Sequence, residues 1–128
     1  MLSKSQYVRG LQCEKSLWLH KKHPELKAEA SAQQESLFNT GNIVGDYAKQ
    51  LFPGGVEIAF TPDSFIAMAQ KTSDLVEQGV GVIYEATFIE NGIFIMVDIL
   101  CKEADSWNIY EVKSSTSVKS VYVDDASV

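Results

Sequence analysis

The hydrophobic pattern of the chain changes from helical to extended at Gly79. Before that point, apolar and small residues recur three or four positions apart, which is typical of helices with one buried face. The clearest such stripe is Leu37, Gly41, Val44, Ala48 and Leu51. After that point, two β-branched apolar runs flank Asn91-Gly92, the strongest short-range signal for a two-residue hairpin turn. The sequence therefore predicts helices first and a three-stranded antiparallel meander after them.

Three sets of capping signals predict helix starts. In Ser3–Gln6 and in Ser31–Gln34 a serine precedes a glutamine by three residues, which is typical of a capping box. In Thr61–Asp63 a threonine cap is followed by a proline at the first helical position and an aspartate that complements the helix dipole. Pro53–Gly55 and Gly79 predict the ends of the second and third helices.

Several residues of the chain are expected to lie in packed surroundings. Gly41 and Gly45 are unfavourable within a helix, so they predict a backbone or partner packed closely against the second helix. Trp18 and Trp107 are expected in the core rather than as platforms for stacked bases.

The Asn-Gly turn also determines which strand residues face one another. If Glu90 and Ile93 close the turn, Glu85 lies directly opposite Asp98. A second turn over residues 103–106 then sets Asp98 opposite Glu111. The result is a row of three carboxylates across three strands, with Lys113 two residues further along on the same face.

A row of like charges on neighbouring strands is unfavourable unless something positive lies beside it. Hard divalent cations such as Mg²⁺ bind carboxylate oxygens, and they activate water in phosphodiester cleavage. Glu85, Asp98 and Glu111 are therefore candidate metal ligands, and Lys113 is the candidate group that orients water or stabilises developing charge. A solvent-facing strand remains the alternative interpretation of the Glu-x-Lys pair.

Composition and charge exclude several classes of protein. The 128 residues contain no apolar run near the ~20 needed to cross a bilayer, no signal peptide and no Gly-rich phosphate loop, so a cytoplasmic protein is expected. The net charge is −6, but residues 1–30 carry six of the eleven Lys and Arg against three Glu. A solvated surface and a phosphate-binding patch both explain this basic end. The candidate nucleic-acid contacts there are Lys4, Arg9, Lys15, Lys21 and Lys22.

Two motifs in the extended half resemble those of a known family. VDIL followed by YEVKSS is similar to motifs II and III of the PD-(D/E)XK nuclease superfamily, in its RecB-like branch. LSKSQYVRGLQCEKSLWL resembles the N-terminal segment of those proteins, and GNIVGDYAKQLFPGGVEI and VIYEATF fit the same pattern. The resemblance covers essentially the whole chain and is closest to the N-terminal part of a larger bacterial protein. It implies one α/β domain over residues 1–128 with a restriction-endonuclease-like core, in which helices flank the meander.

The resemblance also implies roles for particular residues. Asp98 and Glu111 become metal ligands together with the carbonyl of Val112, Lys113 becomes the catalytic lysine, and Glu85 takes an acidic position of the preceding strand. It further implies Mg²⁺ or Mn²⁺ as cofactor and DNA as substrate, with RNA left open.

The chain departs from the family pattern in two places. The usual Gly-x-x-x-His is replaced by Gly41 and Gly45, with Asp46 as the nearest substitute for the histidine. No Gln-x-x-x-Tyr motif follows the lysine strand, so we expect a domain truncated before its last core helix and weak activity in this fragment.

Two roles without catalysis stay open for the chain. One is a non-catalytic nuclease-like module for nucleic-acid binding or protein interaction, and the other is a structural fragment with a solvated strand face. A homodimer through an exposed sheet edge or the unfinished C-terminus is a further expectation. An iron–sulfur cluster needs four thiolates, and the chain has only Cys13 and Cys101, so no cluster is expected within it.

Overall fold

The computed structural model describes all residues from Met1 to Val128 and is a mixed α/β structure in which helices flank a five-stranded mixed sheet. The strands are β1 (Leu2–Ser3), β2 (Val56–Glu57), β3 (Val82–Glu90), β4 (Ile93–Glu103) and β5 (Ser106–Tyr110). The helices are α1 (Lys4–Gln12), α2 (Glu14–Lys22), α3 (Ala32–Gln50), α4 (Phe65–Glu77) and α5 (Ser120–Ser127), with a 3₁₀ turn at Pro24–Leu26. None of the helices is both long enough and apolar enough to cross a membrane.

The predicted meander and its register are confirmed. Strands β3 and β4 pair antiparallel with Glu90 opposite Ile93, and the turn residues Asn91 and Gly92 have φ angles of 50° and 76°. Positive φ at both positions is what a type I′ turn requires. Strand β5 pairs antiparallel with β4 and sets Lys102 opposite Trp107, as the second predicted turn requires.

Two short parallel strands extend the meander into a mixed sheet. Leu2 of β1 pairs with Ile93 of β4, and Val56 of β2 pairs with Ile83 of β3. Strand β4 therefore has β3 on one side and both β1 and β5, at opposite ends, on the other. This arrangement brings the N-terminal helix α1 close to the end of the meander.

The core lies between α4 and the sheet. Its buried residues are Ile58, Met68, Leu75, Ile83, Ala86, Val97 and Leu100. The buried hydroxyl of Thr72 accepts a hydrogen bond from the Thr87 amide at 2.9 Å and donates to the Met68 carbonyl at 3.1 Å. The start of α4 differs from the one that the capping signal at Thr61 predicts. The helix begins at Phe65 because Thr61 to Ser64 form a separate turn, in which the Thr61 carbonyl accepts from the Ser64 amide.

Helix α3 has its predicted capping box but not its predicted buried face. Ser31 and Gln34 exchange both capping hydrogen bonds, whereas no residue of the helix is buried. Leu37 is 62% exposed, and Leu51, just past the last helical residue, is 78% exposed. The predicted close packing at Gly41 is also wrong, and so is that at Gly45, because no heavy atom lies within 4 Å of a Cβ placed at either position.

Two further expectations are corrected by the structure. A helix does follow the lysine strand, since α5 runs from Ser120 to Ser127. Trp18, expected in the core, is 54% exposed and packs against the His23 ring with centroids 4.9 Å apart. Trp107, by contrast, is partly buried against the core, as expected.

Candidate metal site

Glu85 interrupts strand β3 at the centre of the sheet. Its φ of 58° lies in the left-handed region, which costs a residue with a side chain about 1–2 kcal/mol. The flanking pairs, Tyr84 with Ile99 and Ala86 with Val97, keep the register, so Glu85 lies opposite Asp98 as predicted. Backbone strain of this kind is concentrated at functional sites.

A cleft of about 260 Å³ separates helix α3 from this part of the sheet. The helix contributes Gly41, Asn42, Gly45, Asp46 and Lys49, and the sheet side contributes Glu85, Asp98, Ile99 and Val112. The two glycines leave the helix wall without side chains, so the cleft stays open above the strands. Three carboxylates and Val112 therefore line one space.

Tyr84 and Lys49 hold helix α3 over the sheet. The Tyr84 hydroxyl donates to the Phe52 carbonyl at the end of the helix and accepts from the Gly55 amide at 3.2 Å. The Lys49 ammonium lies 2.6 Å from a carboxylate oxygen of Glu57 and 4.0 Å from one of Glu85. These contacts put a positive charge inside the cleft, beside the strained Glu85.

Asp98 ties the segment after β5 to strand β4. Its Oδ2 accepts a hydrogen bond from the Val112 amide at 2.7 Å. Because the acceptor is a carboxylate, this bond is stronger than one between neutral groups. This bond holds the segment after Tyr110, which includes Glu111, beside strand β4.

Glu111 and Lys113 lie in an ion-pair network outside the cleft. Lys113 contacts Glu111 at 3.2 Å and Asp125 at 2.9 Å. Lys4 lies 3.4 Å from each of the same two carboxylates. Two ammonium groups thus balance two carboxylates, and helices α1 and α5 meet at the end of the meander.

Burial and mutual repulsion perturb the two outer carboxyls of the row. Burial, followed by the charge of Asp98, raises the pKa of Glu85 above its ordinary value. The same two causes raise the pKa of Glu111, although Lys4 and Lys113 both act against them. A carboxyl whose pKa is raised in this way is stabilised by an added cation.

In the ion-pair network, the pKa values of Lys113 and Asp125 shift so that both groups stay charged. Burial opposes ionisation of Lys113, but hydrogen bonding to Asp125 and the charge of Glu111 outweigh it and raise the lysine pKa. Burial likewise acts to raise the pKa of Asp125, and the hydrogen bond from Lys113 helps to hold that pKa below its usual value. Lys113 is therefore held as an ammonium ion.

The oxygen donors at the cleft match the ligands that Mg²⁺ and Mn²⁺ prefer. Asp46, Glu85 and Asp98 supply carboxylates, and Val112 lines the cleft beside them. No three His, Cys, Asp or Glu side chains converge closely enough to hold an ion in this conformation. Metal binding by Glu111 requires its side chain to turn away from Lys4 and Lys113.

The predicted nucleic-acid contacts divide into separate groups. Lys4 belongs to the ion-pair network, and Lys21 donates to the Met1 carbonyl at 3.3 Å. Arg9 and Lys15 line a pocket on the outer side of α1 and α2. Lys22 is exposed and forms no ion pair.

The sequence pattern did not indicate two members of the site, Lys49 and Asp125. Lys49 follows Gly41, Gly45 and Asp46 on the same helix, so the helical spacing alone could have included it. Asp125 comes from a stretch that was not expected to form a helix in this chain. Its approach to Lys4 depends on the meeting of α1 and α5, which no local signal encodes.

Comparison with known proteins returned no match to this chain, whether to a family model, to a curated protein or to a solved structure. The functional assignment of the chain therefore rests on its own residues.

Proposed function

We propose that the chain is a restriction-endonuclease-like domain of a metal-dependent nuclease that hydrolyses phosphodiester bonds in DNA. The observation that carries this proposal is the shared cleft of Asp46, Glu85 and Asp98, in which the central strand is strained at Glu85. Holding the partly buried carboxylates of Glu85 and Asp98 side by side is unfavourable unless a cation joins them. The resemblance of VDIL and YEVKSS to nuclease motifs II and III points to Asp98 as well, and adds Glu111 and Lys113.

The proposed roles follow the family resemblance and need one change of side-chain position. Asp98 and Glu85, with the Val112 carbonyl and with Glu111 once its side chain turns away from Lys4 and Lys113, would hold Mg²⁺ or Mn²⁺. An ion bound there would supply a Lewis acid for the phosphoryl group and lower the pKa of a bound water. Lys113, kept as an ammonium ion by Asp125 and Glu111, would stabilise the charge that develops on the phosphoryl oxygens.

Calorimetric titration tests the metal site directly. We expect Mn²⁺ and Mg²⁺ to bind the unmodified protein, and Asp98→Asn to abolish that binding. Asp63→Asn is the matched control, since Asp63 is exposed and forms no ion pair. Equal binding by the protein and by Asp98→Asn would exclude the proposed ligand set.

A cleavage assay tests the reaction. Labelled single- and double-stranded DNA is incubated with Mn²⁺ and either the protein or Lys113→Ala. We expect cleavage by the protein and a loss of about 10²–10³-fold for Lys113→Ala, the usual cost of one group that stabilises transition-state charge. Cleavage that is unchanged in Lys113→Ala would rule out the proposed role of the lysine.

A second function is favoured by the ion-pair network. Because Glu111 and Lys113 already neutralise each other together with Lys4 and Asp125, the fold could serve as a non-catalytic nucleic-acid-binding module. In that case Asp125→Ala, which removes one of the two carboxylates paired with Lys4 and Lys113, would strengthen DNA binding without producing cleavage. Under the nuclease proposal, cleavage by the unmodified protein depends on Asp98.

A further inference from the structure

A second pocket lies on the far side of α1, away from the cleft. It has a volume of about 340 Å³ and is enclosed by α1, α2 and the 3₁₀ turn at Pro24–Leu26. Arg9, Lys15 and Lys27 line it together with His20 and His23, and no carboxylate does. Three cations from three successive elements therefore converge on one concave surface.

The cations of this pocket differ from the lysines of the sheet. Lys4, Lys49 and Lys113 each pair with a carboxylate, whereas Arg9 and Lys15 pair with none, and neither does Lys27. Their positive charge is uncompensated although the whole chain has a net charge of −6. The field of the pocket therefore favours an anion.

The side chains around the pocket leave its donors available. The Arg9 Nη1 donates to the Ser16 hydroxyl at 3.2 Å, which orients the guanidinium and leaves its other N–H groups free to bind oxygen. Glu25 is exposed and contacts the Nδ1 of His23, which lines the pocket, at 2.9 Å. A planar guanidinium with spare donors is well suited to phosphate oxygens.

A groove joins this pocket to the candidate catalytic residues. It has a volume of about 410 Å³, shares Arg9, Cys13 and Ser16 with the pocket, and reaches Lys113 and Asp125 at its other end. A single phosphate would occupy one end of such a path. A chain of phosphates, as in a single nucleic-acid strand, can follow the whole of it.

We infer that the pocket of Arg9, Lys15 and Lys27 binds a backbone phosphate of a single nucleic-acid strand, which the groove leads toward Lys113. The second half of this inference rests on the proposed nuclease function. The first half does not, because phosphate binding in the pocket needs neither a metal ion nor cleavage.

Fluorescence anisotropy with a labelled oligothymidine single strand tests the pocket, in EDTA and at about 0.1 M salt. Each phosphate contact to a single strand contributes about −0.7 to the slope of log K against log salt, so one contact is worth about fivefold at this salt concentration. We expect Arg9→Ala/Lys15→Ala to bind about 25-fold more weakly. The control, Lys71→Ala/Lys102→Ala, removes the same charge from positions away from the pocket and should bind almost as well as the unmodified protein.

Several results would overturn the inference. It fails if both double variants lose affinity equally, or if the unmodified protein does not bind the strand. It also fails if inorganic phosphate shifts the amide signals of Arg9 and Lys15 in an NMR titration while the strand does not. Arg9→Gln/Lys15→Gln, which keeps more of the side-chain packing, replaces the alanine variant if circular dichroism shows that the latter is unfolded.

The two proposals fail separately. Loss of strand affinity in Arg9→Ala/Lys15→Ala, with no cleavage by any variant in Mn²⁺, would support the pocket and refute the nuclease. Cleavage that depends on Asp98, with strand affinity unchanged in the double variant, would support the nuclease and refute the pocket.

Discussion

Asp98 offers a substitution pair that separates its structural contribution from its chemical one. Both Asp98→Asn and Asp98→Ala remove the charge that repels Glu85 and Glu111. Only the alanine variant also removes the oxygen that accepts the Val112 amide at 2.7 Å. The difference in stability between the two variants therefore measures the hydrogen bond, because the relief of repulsion is common to both.

The magnitude follows from the partly buried position of this bond. Loss of a neutral hydrogen bond costs about 1 kcal/mol, and an amide left without a partner costs about 1–3 kcal/mol when buried. Since water can reach the site in part, we expect Asp98→Ala to be about 1–2 kcal/mol less stable than Asp98→Asn. For a chain of this length that corresponds to a melting temperature lower by about 4–8 °C.

Urea denaturation followed by circular dichroism in EDTA gives the two free energies of unfolding. Mn²⁺ titration and DNA cleavage are then measured on the same samples, and both variants should be inactive. The reasoning is refuted if the alanine and asparagine variants are equally stable. It is also refuted if Asp98→Asn binds Mn²⁺ as tightly as the unmodified protein does.

Three further predictions concern the core, the acidic row and the open helix wall. Thr72→Val should lower the free energy of unfolding by about 1–3 kcal/mol, because the Thr87 amide loses its buried acceptor. Thr72→Ser keeps the hydroxyl and should retain most of the stability. Equal losses of stability for the two variants in urea denaturation would contradict this. Because the folded-state pKa of Glu85 is raised above its ordinary value near 4.5, its carboxyl stabilises the fold below that pH, and this stabilisation is lost as the pH rises through the folded pKa. Metal-free Glu85→Gln should therefore gain stability relative to the unmodified protein as the pH increases from 4.5, and a pH-independent difference would refute the assignment. Gly45→Ala should stabilise α3 by up to about 1 kcal/mol in thermal denaturation, since no atom lies near the added Cβ, and should weaken Mn²⁺ binding by narrowing the cleft.

The extended half of the chain was predictable in detail. Asn91-Gly92 admits one turn geometry, and that turn determines the register of Glu85 and Asp98 without reference to any distant residue. The left-handed conformation of Glu85 was not predictable, since glutamate rarely adopts it and no neighbouring residue indicates it.

In the helical half, the starts of α1 and α3 were predictable, but the packing of α3 was not. The capping boxes at Ser3 and Ser31 are interactions within four residues, so their signals are local. Whether the stripe of α3 is buried depends on what lies against it, and Leu37 and Leu51 remain exposed. Periodicity predicts which face of a helix is apolar, but that face is buried only where another part of the protein packs against it.

The sequence by itself determined the carboxylate row, because turn chemistry and strand alternation act over a few residues and leave little freedom. The tertiary structure alone decided what surrounds that row. Asp46 and Lys49 come to it from α3, and Asp125 reaches Lys4 across nearly the whole length of the chain. Such contacts depend on how helices pack against the sheet, and that packing is the sum of many weak interactions which no short stretch of residues contains.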